Sequence, residues 1–161
     1  MVTAMSVTSL DFKQALGRFA SGVTVVSVQS DGSPVGMTAS AFVSVSLDPP
    51  LVLVSVAKKA KMHAHLSAGL AWTASVLGAG QDRISNQFAG FGQGEPEWLD
   101  DTGWAPRLRG SVAWVACTPF AAHEAGDHTL FVGRVESVGF TEGAPLLYFS
   151  GTYRSLVALS D

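Results

Sequence analysis

The sequence is poor in charged residues, in cysteine and in long apolar runs. Only 14% of its 161 residues are charged, and the formal net charge at pH 7 is −3. This balance argues against nucleic-acid binding, which needs a basic face. One cysteine, Cys117, excludes an internal disulfide and a multi-cysteine metal site. Since no apolar run approaches the roughly 20 residues of a membrane-spanning helix, no membrane contact is expected.

Apolar residues are abundant instead, at 47% of the chain with a mean hydropathy of +0.29. A chain with so little charge must bury apolar surface, and a subunit interface is one place to bury it, so we expect a homodimer. The length predicts a single domain over 1–161. The start, "MVTAMSVTSL", lacks the basic and apolar segments of a signal peptide. We therefore expect a poorly ordered extension at 1–10 and a cytoplasmic protein.

Strand patterns dominate the chain, and no alternation of strands and helices suggests a parallel sheet. The predicted strands are 21–29, 51–57, 71–78, 110–125 and 128–140, and the predicted helices are 11–20, 61–70 and 81–90. Between them, 91–109 is rich in glycine, proline and acidic residues, which predicts a long loop of the kind that is usually functional or mobile. The fold predicted is a mostly antiparallel β-barrel with short helices at its rim.

One apolar stretch contains a run of small residues. Residues 34–56 read "PVGMTASAFVSVSLDPPLVLVSV", with Asp48 as the single charge and four small side chains from Thr38 to Ala41. A strand that only filled a core would use Val, Ile or Leu at those positions. The run leaves this stretch of backbone bare of bulky side chains.

A cluster of lysines follows the strand at 51–57. Lys58, Lys59 and Lys61 lie in a segment without any acidic residue between Pro49 and Gln81. Positive charge beside the start of a helix is typical of an anion site, here for a phosphate such as that of a nucleotide. A solvated surface loop explains the same cluster equally well.

Other motifs carry less weight. The glycine-rich "GFGQG" at 90–94 follows a helix and lacks the Lys-Ser/Thr of a phosphate-binding loop. His63 and His65 would point to different sides of a helix, so we expect no metal site. Cys117, within an apolar strand, is interpreted as a core residue. A turn at 126–127 places His128 at the start of a strand, where it is either structural or at the mouth of the barrel.

Several motifs, in order along the chain, resemble those of the flavin reductase-like family, the small reductases of two-component flavin-dependent monooxygenases. They are "GVTVVSV", "GMTASAFVSVSLDPPLVLVSV", "FAG" at 88–90, "GDHTLFVGRVESV" and "PLLYFSGTYRSL". The resemblance extends from about residue 11 to 156. It implies an FMN-binding split β-barrel, antiparallel and of the Greek-key type, with short peripheral helices.

The resemblance also implies a set of site residues. The implied flavin-binding residues are Thr38, Ala39, Ser40, Ala41, Ser55, Val56, Ala57, Lys58, Lys61, Gln87, Phe88 and Ala89. His128 is the implied catalytic residue, in an orienting role, and it contacts the nicotinamide nucleotide together with Tyr153 and Arg154. Where many relatives have Ser and Thr after the "LVLVSV" strand, this chain has Ala60 and Met62, so the lysines would have to hold the phosphate.

The implied activity is NAD(P)H:flavin oxidoreduction by hydride transfer, with FMN (or FAD) as the flavin and NADH or NADPH as the reductant. The reduced flavin would pass to a partner monooxygenase. Two alternatives remain open at this point. One is a split-barrel oxidase of the pyridoxamine phosphate oxidase type, with flavin as a permanent cofactor. The other is a non-catalytic flavin-binding electron-transfer module.

Overall fold

The structure is a computed structural model that describes residues 6–92 and 94–159. Its elements, in chain order, are α1 Ser9–Leu16, β1 Ser21–Gly22, β2 Thr24–Ser30, β3 Ser33–Ala39, β4 Phe42–Leu47, β5 Pro50–Ala57, α2 Lys61–Ser67, β6 Trp72–Val76, α3 Asp82–Phe88, β7 Trp98–Leu99, β8 Arg107–Leu108, β9 Ala113–Ala125, β10 His128–Phe140, β11 Leu147–Phe149 and β12 Thr152–Arg154. No helix within these two ranges is long and apolar enough to cross a membrane.

Seven strands form one antiparallel sheet in the order β3-β2-β6-β9-β10-β5-β4. The two edge strands, β3 and β4, are consecutive in the chain and are joined by Ser40 and Ala41. The backbone N–H of Ser55 in β5 donates to the carbonyl oxygen of Ala41 at 3.0 Å, which extends the β4–β5 pairing by one residue into this connection. Residues of all seven strands, from Ala39 of β3 to Phe42 of β4, pack in one apolar core, so the sheet curls around that core as a split barrel. The predicted mostly β split barrel is confirmed, and β1, β11 and β12 form a separate three-stranded sheet.

Strand β2, next to the edge strand β3, buries both of its faces, because apolar residues occupy successive positions along it. Val26 packs in the larger core with Val56 and Trp72. Its neighbour Val25 faces the opposite way, into a second core that includes Leu108. Since successive side chains of a strand point to opposite faces, β2 separates the barrel interior from an outer layer built around α3.

Two tight turns set the register of the hairpins. Asp31 and Gly32, between β2 and β3, both have positive φ, at 50° and 77°. A two-residue turn with both central residues in this conformation matches the twist of the strands it joins. Gly126, with φ of 64°, similarly leads the chain from β9 into β10, so His128 is the first residue of that strand as predicted.

The first helix differs from its predicted span of 11–20. Thr8 and Asp11 form a capping box, in which each side chain accepts from the other residue's backbone N–H. This pair begins α1 at Ser9, inside the stretch expected to be a poorly ordered extension; the first five residues lie outside the described part of the chain. The helix ends before Gly17, so Phe19 lies beyond it.

The segment 91–109 is more structured than the predicted loop. It contains the β7–β8 hairpin and is anchored to the barrel by buried hydroxyl groups. Thr73 Oγ1 donates to the carbonyl of Ala105 at 2.7 Å, and the backbone N–H of Leu108 donates to Ser75 Oγ at 3.0 Å. A buried hydroxyl in a sheet needs such a partner, and these bonds hold the segment against the outer face.

Cys117 lies in the barrel core and is fully buried. Burial raises the pKa of its thiol to about 12, so the thiol stays protonated at neutral pH. A protonated thiol is a poor nucleophile. The interpretation of Cys117 as a core residue is confirmed.

Candidate functional site

The small residues Thr38 to Ala41 form the corner at which the chain leaves one side of the barrel and enters the other. β3 pairs with β2 as far as Ala39, and β4 begins pairing with β5 at Phe42. The hydrogen bond from Ser55 to Ala41 joins the corner to β5. Two segments that the sequence analysis assigned to one site, 38–41 and 55–57, are therefore adjacent.

The side chains of these segments alternate between core and surface. Ala39 and Val56 are buried in the barrel core, so what they can offer a ligand is backbone. Ser40 and Ala41 are exposed, while Ser55 and Ala57 are half-buried. Ligand contact in this region therefore falls to main-chain groups, the hydroxyls of Ser40 and Ser55, and small apolar surfaces.

A groove of about 610 Å³ lies in front of the corner. Ser40 and Ala41 line one side, and Leu16, Phe19 and Val43 contribute apolar walls. Its dimensions and lining suit a flat, largely apolar ring with polar atoms on one edge, which is the chemistry of the isoalloxazine of a flavin. The small residues keep this groove open, because a larger side chain at Ser40 would fill it.

Helix α3 packs against the outer side of β3, next to the corner. Thr38 Oγ1 donates to the carbonyl of Ser85 at 2.7 Å. Phe88 lies over Gly36 so closely that a Cβ added at Gly36 would come within 2.8 Å of the phenyl ring. Gly36 therefore permits the close approach of helix and strand, and α3 is held at a fixed distance from the corner.

Gln87, Phe88 and Ala89, at the end of α3, are the three residues there assigned to the flavin, and they differ in the contacts that they already make within the protein. Phe88 packs edge-on against Trp98, with ring centroids 5.4 Å apart. Gln87 Oε1 accepts from the backbone N–H of Gly94 at 2.9 Å. Ala89 is exposed at the end of the helix. Phe88 and Gln87 thus make structural contacts in this chain, and their role toward a flavin stays a prediction.

The lysine cluster begins where β5 ends. The backbone N–H of Lys58 donates to the carbonyl of Asp127 at 2.9 Å, and its Nζ forms an ion pair with Glu124 on the neighbouring hairpin. Lys61 is exposed at the first position of α2. Met62 is buried, which leaves the lysines as the charged donors at this position.

His128 lies directly beside the end of β5, where it pairs with Ala57. Its Nδ1 is 2.8 Å from the Asp127 carboxylate, and the contact with His128 holds the pKa of Asp127 below its usual range. Because Nδ1 is engaged by the carboxylate, Nε2 is the ring nitrogen left to face a ligand. This register places His128 beside the 55–57 segment, and its role toward a nucleotide stays a prediction.

Tyr153 is engaged with α3. Its hydroxyl donates to Asn86 Oδ1 at 2.9 Å and shares a hydrogen bond with Ser85 Oγ at 2.8 Å. Its ring meets Tyr148 edge-on. The polar end of Tyr153 is therefore committed to the helix, and only its ring could touch a nucleotide, whereas Arg154 is exposed.

The candidate residues form a row along one side of the barrel. It runs from His128 through Ala57, Ser55 and the corner to Thr38, and then through Ser85 to Tyr153. Sequence patterns did not reveal Ser85 or Glu124, because each gains its role from a partner distant in the chain. In the two described ranges, no group of three or more His, Cys, Asp or Glu residues could hold a metal ion.

Residues 16–157 match the family described as flavin reductase like domain. The chain belongs to the flavin reductase-like family. The family named from the sequence motifs is thereby confirmed, and the groove and corner described above can be considered as a flavin site.

Known members of the family are similar over nearly their whole length. An NADH-dependent flavin reductase of Rhodococcus sp is 46% identical over 159 residues, 95% of this chain and 89% of the relative. The reductase component of 4-hydroxyphenylacetate 3-monooxygenase from Thermus thermophilus is 44% identical over 147 residues, 91% of this chain and 95% of the relative. The NADH:FAD oxidoreductase SgcE6 of Streptomyces globisporus, solved with NAD and FAD fragments, has a TM-score of 0.87 at 34% identity and covers 98% of this chain and 100% of its own.

We expect Ser40→Trp to weaken FMN binding at least roughly tenfold while leaving the fold intact. Ser40 is exposed, so the indole would extend into the groove rather than into the core. The matched control is Ser33→Trp, an exposed serine at the other end of β3. Flavin fluorescence titration and thermal unfolding of both variants check the expectation. Normal FMN binding by the Ser40 variant would show that the ring lies elsewhere.

Proposed function

We propose that this flavin reductase takes hydride from NADH, passes it to FMN or FAD bound at the barrel corner, and releases the reduced flavin to a separate monooxygenase. The observation that carries the proposal is the corner itself. Its small residues are joined to Ser55 by a backbone hydrogen bond, and Ser40 and Ala41 border an apolar groove. Ala57, two residues beyond Ser55, pairs with His128.

The residues present fit a flavin. Ser40 and the backbone of Thr38 to Ala41 would bind the polar edge of the ring, and Leu16 and Phe19 would cover its apolar part. Lys58 and Lys61 would hold the phosphate. A flavin bound there supplies N5 as the hydride acceptor, and the protein contributes chiefly by placing two rings against each other.

The nicotinamide nucleotide is assigned to the two ends of the row of candidate residues, at His128 and at Tyr153 with Arg154. His128 Nε2 is available for a polar group of the nucleotide, because Nδ1 is taken up by Asp127. The ring of Tyr153, fixed by its bonds to α3, offers a stacking surface, and Arg154 offers positive charge. Hydride transfer needs no proton from these side chains, so their role is to bind and orient.

The relatives favour this activity over the two alternatives. One is named an NADH-dependent flavin reductase, and another the reductase component of a monooxygenase. The absent hydroxyl groups at Ala60 and Met62 also favour a flavin that leaves, since fewer donors hold its phosphate. Because NADH is a cytoplasmic metabolite, we propose that the protein works in the cytoplasm.

Anaerobic reduction of excess FMN tests the function. We expect a small amount of protein with NADH to bleach many equivalents of FMN, because reduced flavin is released and replaced. Bleaching that stops at one equivalent per subunit would identify a permanent cofactor and contradict the proposal. No bleaching at all would identify a non-catalytic flavin-binding module. The Ser40→Trp variant is the inactive control.

We expect His128→Ala to raise the KM for NADH and to slow hydride transfer, each by about tenfold, the loss associated with one charge-assisted contact. FMN affinity should change little. Stopped-flow flavin reduction at several NADH concentrations measures both quantities. His123→Ala, at an exposed position on the same hairpin, serves as the control. A His128 variant with a lower melting temperature but unchanged NADH dependence would show a purely structural role.

A homodimer is the form in which we propose that the protein works. Leu16 at the end of α1, Phe19 just beyond it and Val43 on the edge strand β4 line the groove, and each is more than half exposed. An apolar patch of this kind marks an interface, and a second copy would cover it. The candidate flavin groove would then adjoin the interface.

We expect light scattering at micromolar concentration to give twice the chain mass of 16.8 kDa. Phe19→Glu should yield a folded monomer, since this side chain is 77% exposed within one chain. Leu159→Glu is the control and should stay dimeric, because Leu159 is 97% exposed and does not line the groove. A stable wild-type monomer would contradict the proposal.

A further inference from the structure

Lys58 is the cation placed closest to the flavin-binding strand, and it already has an internal partner. It follows β5 directly, and its backbone is fixed to the Gly126-Asp127 turn through the carbonyl of Asp127. Its Nζ forms an ion pair with a carboxylate oxygen of Glu124. The ammonium group that the flavin phosphate would need is therefore already paired with Glu124.

The surroundings of Glu124 favour its contact with Lys58 and also allow the side chain to move away. It lies opposite Thr129 in the β9–β10 pair, and the Thr129 hydroxyl, 3.5 Å away, points toward its other carboxylate oxygen. The ion pair with Lys58 holds the pKa of Glu124 below its usual range, so the carboxylate is charged at neutral pH. The side chain is 74% exposed, so it can turn into solvent without a packing cost.

The neighbouring positions do not replace Lys58 easily. Ala60 has no hydroxyl to offer and caps α2 without any side-chain hydrogen bond. Met62 is buried. Lys59 and Lys61 form no ion pair within the described residues, but they lie further along the chain from Ser55 and Ala57. A phosphate that follows the 55–57 strand meets Lys58 first.

We propose that Glu124 competes with the flavin phosphate for Lys58. Glu124 must release the Lys58 ammonium group before the phosphate can bind it, and this competition weakens flavin binding and speeds flavin release. The inference rests on the proposed function, in which the flavin is exchanged rather than retained. An exposed ion pair contributes little to stability, so breaking it does not prevent binding.

Glu124→Gln tests the proposal, because it keeps the size of the side chain and removes its charge. We expect the dissociation constant of FMN to fall about two- to tenfold, with a slower rate of FMN release. Riboflavin, which lacks the phosphate, should bind as in the wild type. Flavin fluorescence titration gives the affinities, and stopped-flow displacement gives the release rates.

Two further variants define the result. Glu136→Gln is the control, because Glu136 is an exposed glutamate on β10 whose partner is the Thr118 hydroxyl and not a lysine. This variant should change the affinity for neither FMN nor riboflavin. In a Lys58→Ala background, Glu124→Gln should no longer strengthen FMN binding. Unchanged FMN affinity in Glu124→Gln, or an equal change for both flavins, would overturn the proposal.

The failure of this inference can be told apart from a failure of the proposed function. The titrations use oxidised flavins without NADH, so they need no turnover. If the wild type reduces excess FMN but the Glu124 variant binds FMN with unchanged affinity, the competition is refuted and the reductase function stands. If Glu124→Gln shifts the dissociation constant of FMN but not of riboflavin, and the protein never oxidises NADH, the competition is supported and the reductase function is refuted.

Discussion

The corner formed by Ser40 and Ala41 is the constraint on which the barrel and its site both depend, because these two residues alone join the edge strands β3 and β4. β4 must therefore begin directly after β3, and the hydrogen bond from Ser55 to Ala41 holds its start against β5. The small side chains of Ser40 and Ala41 leave a groove open in front of the corner. One constraint thus accounts for the fold and for an accessible stretch of backbone.

The remaining parts of the site are placed relative to this corner. Pairing of β5 with β10 brings His128 to Ala57, and the close fit of Phe88 over Gly36 sets the distance of α3. The outer segment 91–109 is held by hydrogen bonds to the buried hydroxyl groups of Thr73 and Ser75 on β6. The positions proposed to bind a ligand therefore lie on strands and on a packed helix, which suits a reaction that depends on orientation.

Much of this was predictable from the sequence, because it rests on local chemistry. The Asp31-Gly32 turn, the strand periodicity and the small run at 38–41 each reflect a requirement of the residues themselves. The ion pair of Lys58 and Glu124 joins residues 66 positions apart, and no local pattern indicates it. The end of α1 was misplaced for a related reason: Phe19 continues the helical spacing, but its apolar ring is exposed and packs in no core.

Hydrogen exchange with and without FMN tests the central claim most directly, since it locates the bound flavin on the backbone. The account predicts slower amide exchange at 38–42 and at 55–61 when FMN is added. Riboflavin should slow exchange at 38–42 but not at 58–61, because it has no phosphate for the lysines. Protection confined to other segments, such as the cavity between α2 and the β9–β10 hairpin, would contradict it.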